Sequence, residues 1–346
     1  MPFAAALRPA LLARRLGEQI DVRSSAVAWL RLAAATIVVL FHCFALNRLW
    51  ARDPLAQLTP GTDLGLLGVQ IFFFLSGLLV AQSYARHASI VKFALARVLR
   101  LYPALVAATC FTIALGALSS PLPIKAFLLH PDTLTYALRC SLGLAVSDVL
   151  PGTYVNNPFP FAANGSLWTL PIEIEMYVGV AIAGLLGLIT RKWLLAAAVG
   201  ALAVLFTIHP WTFPVAPDFR GTRVIVLMFA LGALCFAWRD SIPLSMPAAV
   251  ACLLLLYLIP AARAQIVVYS LLTSYLVLTI GYHPLLQNAL PPLAADLSYG
   301  IYVYSFPVQQ TLIEHWAGSF AANPWLLFPA AMCIVAPIAA LSWFGL

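Results

Sequence analysis

Four ionisable residues inside apolar stretches of the chain are the first candidates for chemistry: Arg31, His42, Glu173 and Glu175. Arg31 and His42 share the segment WLRLAAATIVVLFHC, and Glu173 follows Pro171 at the start of a later apolar stretch. An ionised side chain at the bilayer centre costs about 2.5–3.5 kcal/mol on insertion scales, so such residues usually have a function. A histidine can act as a general base or a nucleophile, and a carboxylate can orient it or help to move a proton. Arg31, His42 and Glu173 are therefore the residues to weigh first for a functional role.

Arg31 and His42 point along one face of a single predicted helix. They are eleven residues apart, which is about 1100° of rotation and only about 20° from three full turns. The same spacing separates them by about 16 Å along the helix axis. Two structural alternatives stay open, because Arg31 can snorkel to lipid headgroups and His42 can hydrogen-bond to a neighbouring helix.

Glu173 belongs to the segment NGSLWTLPIEIEMY. It lies four residues before Tyr177, so the two side chains share a helix face, whereas Glu175 points elsewhere. Pro171 is typical of the first turn of a helix, where a carboxylate also complements the helix dipole. Stabilisation of the helix N-terminus is therefore the alternative to a catalytic role for Glu173.

Two further arginines, Arg97 and Arg100, precede a third apolar stretch. They are three residues apart and adjacent on a helix. The forked guanidinium group suits a phosphate clamp. Anchoring of the helix at lipid headgroups is the alternative.

The composition shows that these residues belong to a membrane protein. Of the 346 residues, 63% are apolar or aromatic and 9% are charged, against roughly 45–50% and about 25% in soluble domains. A soluble protein of this composition would expose too much apolar surface. The formal charge of +7 does not indicate nucleic acid as a partner, because the basic residues lie between apolar stretches.

Helices must position the candidate residues, since the apolar runs are continuous rather than alternating. A bilayer-spanning helix needs about 20 mostly apolar residues. The predicted fold is an all-α integral membrane protein with about ten transmembrane helices in one bundle, forming one domain over 26–346. The ten stretches are 27–46, 64–84, 99–118, 168–189, 193–209, 222–238, 246–260, 264–281, 297–315 and 325–344.

The basic residues of the connections predict an N-in, C-in topology. With the N-terminus inside, the inner side holds 11 Lys and Arg residues and the outer side seven, and the densest clusters come first. Residues 1–25 then form a basic cytoplasmic tail, too polar to be a cleaved signal peptide. The connection 119–167 faces outward, and part of it, around 133–147, is apolar enough for an interfacial helix.

Cysteine spacing predicts neither a disulfide framework nor a metal site. The six cysteines include no CxxC pair, and all except Cys140 lie in or beside apolar runs. They are interpreted as small apolar packing residues.

Five separated segments of the chain resemble the acyltransferase 3 family of integral membrane enzymes, which acylate sugars and other acceptors. The resemblance covers nearly the whole chain. Two departures are visible: Ser305 stands where many members carry histidine, and the chain ends where relatives often continue into a Glu-x-Pro end. There is also no room for the esterase-like domain that some relatives carry. The matching residues are Arg31 and His42, the segment GVQIFFFLSG at 68–77, the group Arg97, Arg100, Tyr102 and Pro103, the group Ser166, Trp168, Glu173 and Tyr177, and the segment SYGIYVYSFP at 298–307.

The resemblance implies transfer of an acyl group, most simply acetyl, from acyl-CoA to a hydroxyl of a glycan or glycolipid. It implies no tightly bound cofactor, acetyl-CoA as co-substrate, and a bacterial inner membrane as the location. His42 would be the base or the acyl carrier, Glu173 would orient it, and Arg31 would lie deeper in the donor path. Donor or substrate binding is assigned to Arg97, Arg100, Ser166, Trp168, Tyr177 and Tyr302.

Two other classes of protein fit the charged residues. A proton-coupled transporter of an anionic substrate also uses Arg, His and Glu within its spans, although the two halves of the chain show no internal repeat. A non-catalytic membrane scaffold would use the same charges only to fix helix packing. The number of subunits is not evident from the sequence.

Overall fold

The computed structural model describes residues 14–21, 24–59, 61–86, 89–143, 149–208, 220–258 and 266–345. Most of the predicted tail, residues 1–13, lies outside these ranges. Its described end forms the short strand β1 (Arg14–Arg15), which pairs antiparallel with β2 (Pro243–Leu244). This pairing ties the end of the tail to the connection between two helices.

Each of the ten predicted apolar stretches contains a helix. Within the described residues these helices are α1 (Ser25–Leu46), α2 (Leu64–Arg86), α3 (Ile90–Ser119), α4 (Leu170–Leu185), α5 (Lys192–Ile208), α6 (Arg220–Ala237), α7 (Met246–Leu258), α8 (Ile266–Tyr282), α9 (Ser298–His315) and α10 (Pro324–Gly345). Short helices occupy the connections at Pro54–Leu58, Ile124–Leu128, Pro131–Leu142, Pro284–Ala289 and Ala317–Phe320, with 3-10 turns at Leu16–Glu18, Trp50–Arg52 and Gly165–Thr169.

The length and composition of these helices confirm an all-α membrane protein. Five segments are long and apolar enough to cross a bilayer: α1, α2, α3, Gly165–Leu185 and α10. The apolar helices α5, α6, α7 and α8 are shorter. The count of ten spans and the N-in, C-in topology stay predictions.

Helix α9 differs from the other helices because protein rather than lipid surrounds it. Ser305, Gln309 and Gln310 are fully buried, and α9 packs against α1, α3 and α10. Helix α2 has a similar central position, between α1, α4 and α6. These two helices form the inner layer of the bundle and position the candidate site.

A helix is present at Pro131–Leu142, over most of the segment 133–147 predicted to form an interfacial helix, of which residues 144–147 lie outside the described residues. Thr133, Tyr136 and Cys140 form its buried face. A stripe of exposed leucines, Leu134 and Leu138, lies on the opposite side. A helix with one apolar exposed face suits a membrane interface.

The last part of the connection 119–167 packs against the bundle. Residues 149–169, here named the inserted segment, run along α9; most of their side chains are buried or half-buried, while Val149, Val155 and Phe161 are exposed. The Tyr154 backbone N–H donates to Glu314 near the end of α9 at 3.1 Å, and the Asn164 side chain donates to the Val303 carbonyl at 2.9 Å. The contacts from Glu314 to Tyr302 span twelve residues of α9, or about 18 Å of depth.

Glutamine side chains explain why this irregular backbone is stable inside the bundle. The Gln310 amide donates to the carbonyls of Phe159 and Ala162, both at 2.9 Å, and its side-chain oxygen accepts from Asn157 at 2.8 Å. Non-helical backbone at membrane depth is tolerated only where protein or a water-filled cavity surrounds it. The outward-facing position predicted for 119–167 stays a prediction, and the polar partners of this segment lie on α9.

The close approach of α2 and α6 depends on two glycines. A Cβ atom added at Gly77 would lie 1.9 Å from the Phe229 carbonyl oxygen, and one added at Gly232 would lie 2.1 Å from the Phe74 carbonyl oxygen. Both contacts are with backbone, which cannot move without separating the helices.

We predict that Gly77→Ala destabilises the protein by at least about 1–3 kcal/mol, the usual cost of overpacking. Gly200→Ala on α5 is the matched control, because nothing lies within 4 Å of its added Cβ. The yield of monodisperse protein and the thermal midpoint in detergent measure the effect. Equal stability of the two variants would contradict the described packing of α2 on α6.

The topology can be tested with single surface cysteines. The exposed Lys125 lies in the connection predicted to face outward, and the exposed Arg191 lies between α4 and α5, predicted to face inward. A membrane-impermeant maleimide should label Lys125→Cys in intact cells and should label Arg191→Cys only after lysis. The reverse pattern would invert the topology.

Candidate active site

A cavity of about 470 Å³ lies in the half of the bundle where α1, α3 and α9 begin and α10 ends. Its wall is partly apolar and includes Phe72, Phe73, Leu170 and Trp343. Charged and polar side chains share the remaining surface. They are Arg31, Ser76, Arg100, Thr169, Glu173, Tyr177, Asp296, Tyr299, Tyr302 and Ser342.

Arg31 forms an ion pair with Asp296 in this cavity. The exposed fractions of the two side chains are 14% and 22%. The second carboxylate oxygen of Asp296 accepts from the Ser298 hydroxyl at 2.5 Å and from the Ser298 backbone N–H at 3.3 Å. One carboxylate thus connects α1 to the first turn of α9.

Glu173 lies in the first turn of α4, after Pro171, as the sequence predicted. Its carboxylate accepts a hydrogen bond from the Tyr177 hydroxyl and a longer one, 3.5 Å, from the Ser76 hydroxyl. The spacing of four residues brings Glu173 and Tyr177 together on one face. Both side chains line the cavity.

Arg97 and Arg100 lie on α3 beside this carboxylate. The Arg97 guanidinium carbon is 5.8 Å from the centre of the Tyr177 ring, and its Nε atom is buried without a hydrogen-bond partner among the described residues. Arg100 is exposed and lines the cavity. It has no ion pair or hydrogen bond within the part of the chain that the structure describes.

Tyr302 of α9 marks the end of the cavity nearest the inserted segment. Its hydroxyl donates to the Ser166 carbonyl at 2.7 Å and is 2.8 Å from the Thr169 hydroxyl. The Ser166 hydroxyl donates to the Asn164 side chain at 2.6 Å. Trp168 is partly buried and packs against the core beside this network.

His42 lies outside the cavity, in the opposite half of α1 from Arg31. Its imidazole is buried, packs edge-on against Phe306 with ring centres 5.1 Å apart, and leaves Nδ1 without a hydrogen-bond partner among the described residues. Phe306 is four residues after Tyr302, or about 6 Å farther along α9. His42 therefore lies one helical turn beyond the Tyr302 end of the cavity.

The structure brings together most of the site residues predicted from sequence. Five of them line the cavity: Arg31, Arg100, Glu173, Tyr177 and Tyr302. Arg97, Ser166 and Trp168 surround it. A hydrogen bond between His42 and Glu173, the expected base and its orienting carboxylate, is not present within the described chain, because Glu173 is bonded to Tyr177 and Ser76 instead.

Asp296 is the cavity residue that sequence reasoning missed. It lies in the connection before α9 and was not among the residues inside apolar stretches. The available signal was its position two residues before Ser298, typical of an acidic residue at a helix start. Its partner Arg31 is 265 positions away, a distance over which local patterns carry no information.

Nearly the whole sequence of the chain is similar to that of a known protein family. Residues 24–344 match a family model described as "Acyltransferase domain", which covers both the cavity and His42. This chain belongs to the acyltransferase 3 family. The resemblance seen in the separated sequence motifs is thereby confirmed, and the protein is a membrane O-acyltransferase by family.

Two relatives align over most of the chain. An "O-acetyl transferase" of Shigella phage Sf6 is 29% identical over 304 residues, covering 82% of this chain and 84% of the relative. "Nodulation protein 10" of Rhizobium leguminosarum bv. viciae is 27% identical over 347 residues, covering 91% and 89%. No solved structure matches the chain significantly.

We predict that Tyr177→Phe lowers the rate of acyl transfer about tenfold, because Glu173 then keeps only its long bond to Ser76. A hydrogen bond to a charged group is worth roughly 1.5–3 kcal/mol. Tyr282→Phe is the matched control, since Tyr282 is a buried tyrosine of α8 that does not line the cavity. Equal rates of acyl transfer in the two variants would show that the hydrogen bond between Glu173 and Tyr177 does not contribute to the reaction.

Proposed function

We propose that the protein transfers an acyl group, most simply acetyl, from acyl-CoA to a hydroxyl group of a glycan or glycolipid. The cavity carries the proposal: it combines one arginine without an ion pair among the described residues, Arg100, with a partly apolar wall and the Glu173 carboxylate. The family and the relative named "O-acetyl transferase" support an oxygen acceptor and an acetyl group.

The donor phosphates bind at Arg100, with Arg97 behind it. Arg100 is exposed at the cavity and makes no ion pair among the described residues, although the Glu173 carboxylate lines the same cavity. A guanidinium offers two parallel donors to a phosphate. The apolar residues of the cavity then receive the chain that carries the thioester.

The chemistry needs a base for the acceptor hydroxyl. The acceptor oxygen attacks the thioester carbon, His42 takes the hydroxyl proton, the carbon–sulfur bond breaks, and CoA leaves as a thiolate that regains a proton. If His42 is instead the acyl carrier, its imidazole attacks first and the acceptor attacks the acyl-imidazole. Both routes use the buried imidazole of His42 and release the same products.

Glu173 acts within the cavity rather than on His42. Its carboxylate accepts from Tyr177 and Ser76, so its partner in proton transfer is the Tyr177 hydroxyl. Ser166, Trp168 and Tyr302 shape the end of the cavity from which the acyl group approaches His42. Arg31 is paired with Asp296 and supports the wall of the site.

The proposed location is a bacterial inner membrane, with the cavity on the cytoplasmic side. The cavity lies beside the N-terminal ends of α1, α3 and α9, which the N-in topology places inward. Acyl-CoA reaches the site from that side. The acceptor reaches His42 from the opposite half of α1.

The first test measures turnover of the purified protein in nanodiscs with radiolabelled acetyl-CoA and a membrane glycolipid extract. We predict CoA release and transfer of label for wild type, and a loss of at least about a hundredfold for His42→Ala, since general acid–base catalysis contributes about 10²–10⁴-fold. His130→Asn is the control, because His130 caps the helix Pro131–Leu142 and its imidazole makes polar contacts, among the described residues, only with Asp132 of that helix, and asparagine can replace the cap.

Two outcomes would count against the proposal. Retained turnover in His42→Ala would exclude His42 as base and as carrier. Well-folded wild type without turnover and without acetyl-CoA binding would overturn acyl-CoA as donor, and substrate counterflow without any acyl donor would favour the transporter.

Arg100 gives a separate prediction for donor binding. Arg100→Gln should raise the KM for acetyl-CoA about tenfold with little change in kcat, because a phosphate contact holds ground state and transition state alike. Lys92→Gln is the control, since Lys92 is an exposed cation of the same helix that does not line the cavity. An unchanged KM for acetyl-CoA would show that Arg100 does not bind the donor.

A further inference from the structure

The Arg31–Asp296 pair is the one ion pair with both side chains mostly buried among the described residues. Asp296 places one carboxylate oxygen on Arg31 and the other on the backbone and hydroxyl of Ser298. Charged side chains inside a bundle need a partner, and a carboxylate at the start of a helix is also favoured by the helix dipole. The Asp296 carboxylate therefore supplies hydrogen-bond acceptors to Arg31 and to the first turn of α9 at the same time.

This pairing changes how the positive charge of the cavity is distributed. Arg31 is neutralised by Asp296, whereas Arg100 lines the same cavity without an anionic partner within the described residues. An incoming phosphate at Arg31 would have to displace the Asp296 carboxylate or approach its negative charge. At Arg100 no carboxylate has to be displaced from an ion pair.

The same carboxylate also fixes the part of α9 that lines the cavity. Tyr299, Gly300 and Tyr302 follow Asp296 within six residues and all contribute to the cavity wall. The Tyr302 hydroxyl holds the inserted segment at Ser166. A shift of the first turn of α9 would therefore move the end of the cavity that faces His42.

We propose that Asp296 is a positioning residue for acyl transfer: it holds the Arg31 guanidinium and the first turn of α9 in register, and leaves Arg100 to meet the donor phosphates. This inference rests on the proposed function. It separates two arginines that the sequence alone assigned to one donor path. It also predicts that removal of the Asp296 charge lowers kcat but does not weaken donor binding.

The test is steady-state turnover of acetyl-CoA by Asp296→Asn, together with binding of CoA itself. Asparagine keeps an oxygen for Ser298 but removes the charge that holds Arg31. We expect kcat to fall about tenfold, while the KM for acetyl-CoA and the affinity for CoA stay equal or improve, because a negative charge has left the cavity. If Asp296 only bound the donor, its substitution would instead raise the KM for acetyl-CoA and leave kcat unchanged.

Asp21→Asn is the matched control. Asp21 pairs with Arg86 at the same end of the bundle but outside the cavity, with side chains 74% and 56% exposed. Its hydrogen bond with Arg86 holds the pKa of the Asp21 carboxyl below its ordinary value, so the control also removes an ionised partner of an arginine. Its kcat and KM should equal those of wild type.

Wild-type kcat in Asp296→Asn, or a raised KM with unchanged kcat, would overturn the proposal. If Asp296→Asn does not fold, Asp296→Glu decides, since it keeps the charge on a longer arm: lowered kcat with unchanged KM supports positioning, and wild-type kcat overturns it. Wild-type protein that binds no CoA and turns over no acetyl-CoA would overturn the proposed function first, and this inference with it.

Discussion

Polar groups inside the bundle must find partners within the protein, and the inserted segment meets this constraint through α9. Backbone that is not helical cannot face hydrocarbon, so the buried part of residues 149–169 requires polar neighbours. Gln310 and the Val303 carbonyl supply them. Two other buried polar side chains of α9 have different partners: Gln309 donates to the Val39 carbonyl of α1 at 2.8 Å, and Ser305 donates to the Tyr302 carbonyl at 3.3 Å. Because α9 is held on one side by this segment and on another by α1, its tyrosines have fixed positions at the end of the cavity.

Charge pairing then decides which residues of the site are free to meet a ligand. Asp296 occupies Arg31, and the Glu173 carboxylate is occupied by Tyr177. Electrostatic interactions are strong where water is excluded, so these two pairs hold their geometry. Arg100 is left at the cavity without a charged partner among the described residues. Arg100 is thus available to a polyanionic ligand, whereas Arg31 helps to hold the site rigid, although both arginines line the same cavity.

The helices were predictable from the sequence within a few residues, because continuous apolar runs of about 20 residues have few other solutions. The exception is α3, which begins at Ile90, nine residues before the predicted start at 99, because its first turns carry Lys92 and Arg97 and are not apolar enough to be counted. The pairing of Glu173 with Tyr177 was also predictable, since a spacing of four residues acts within one helix. Asp296 and the inserted segment were not, because their partners are more than a hundred positions away along the chain. The expected contact between His42 and Glu173 rested on chemical type alone. Helix α1 does place His42 and Arg31 on one face, but the rise between them carries His42 out of the cavity.

The separation of His42 from the cavity has a consequence for where the reactants meet. Arg31 and His42 are about 16 Å apart along α1, and α9 fills the space between them with Tyr302 and Phe306. The Tyr302 hydroxyl is bonded to the inserted segment on the cavity side, and the Phe306 ring packs against His42 on the other. Under the proposed function, a thioester in the cavity and an acceptor beside His42 therefore meet at this single turn of α9.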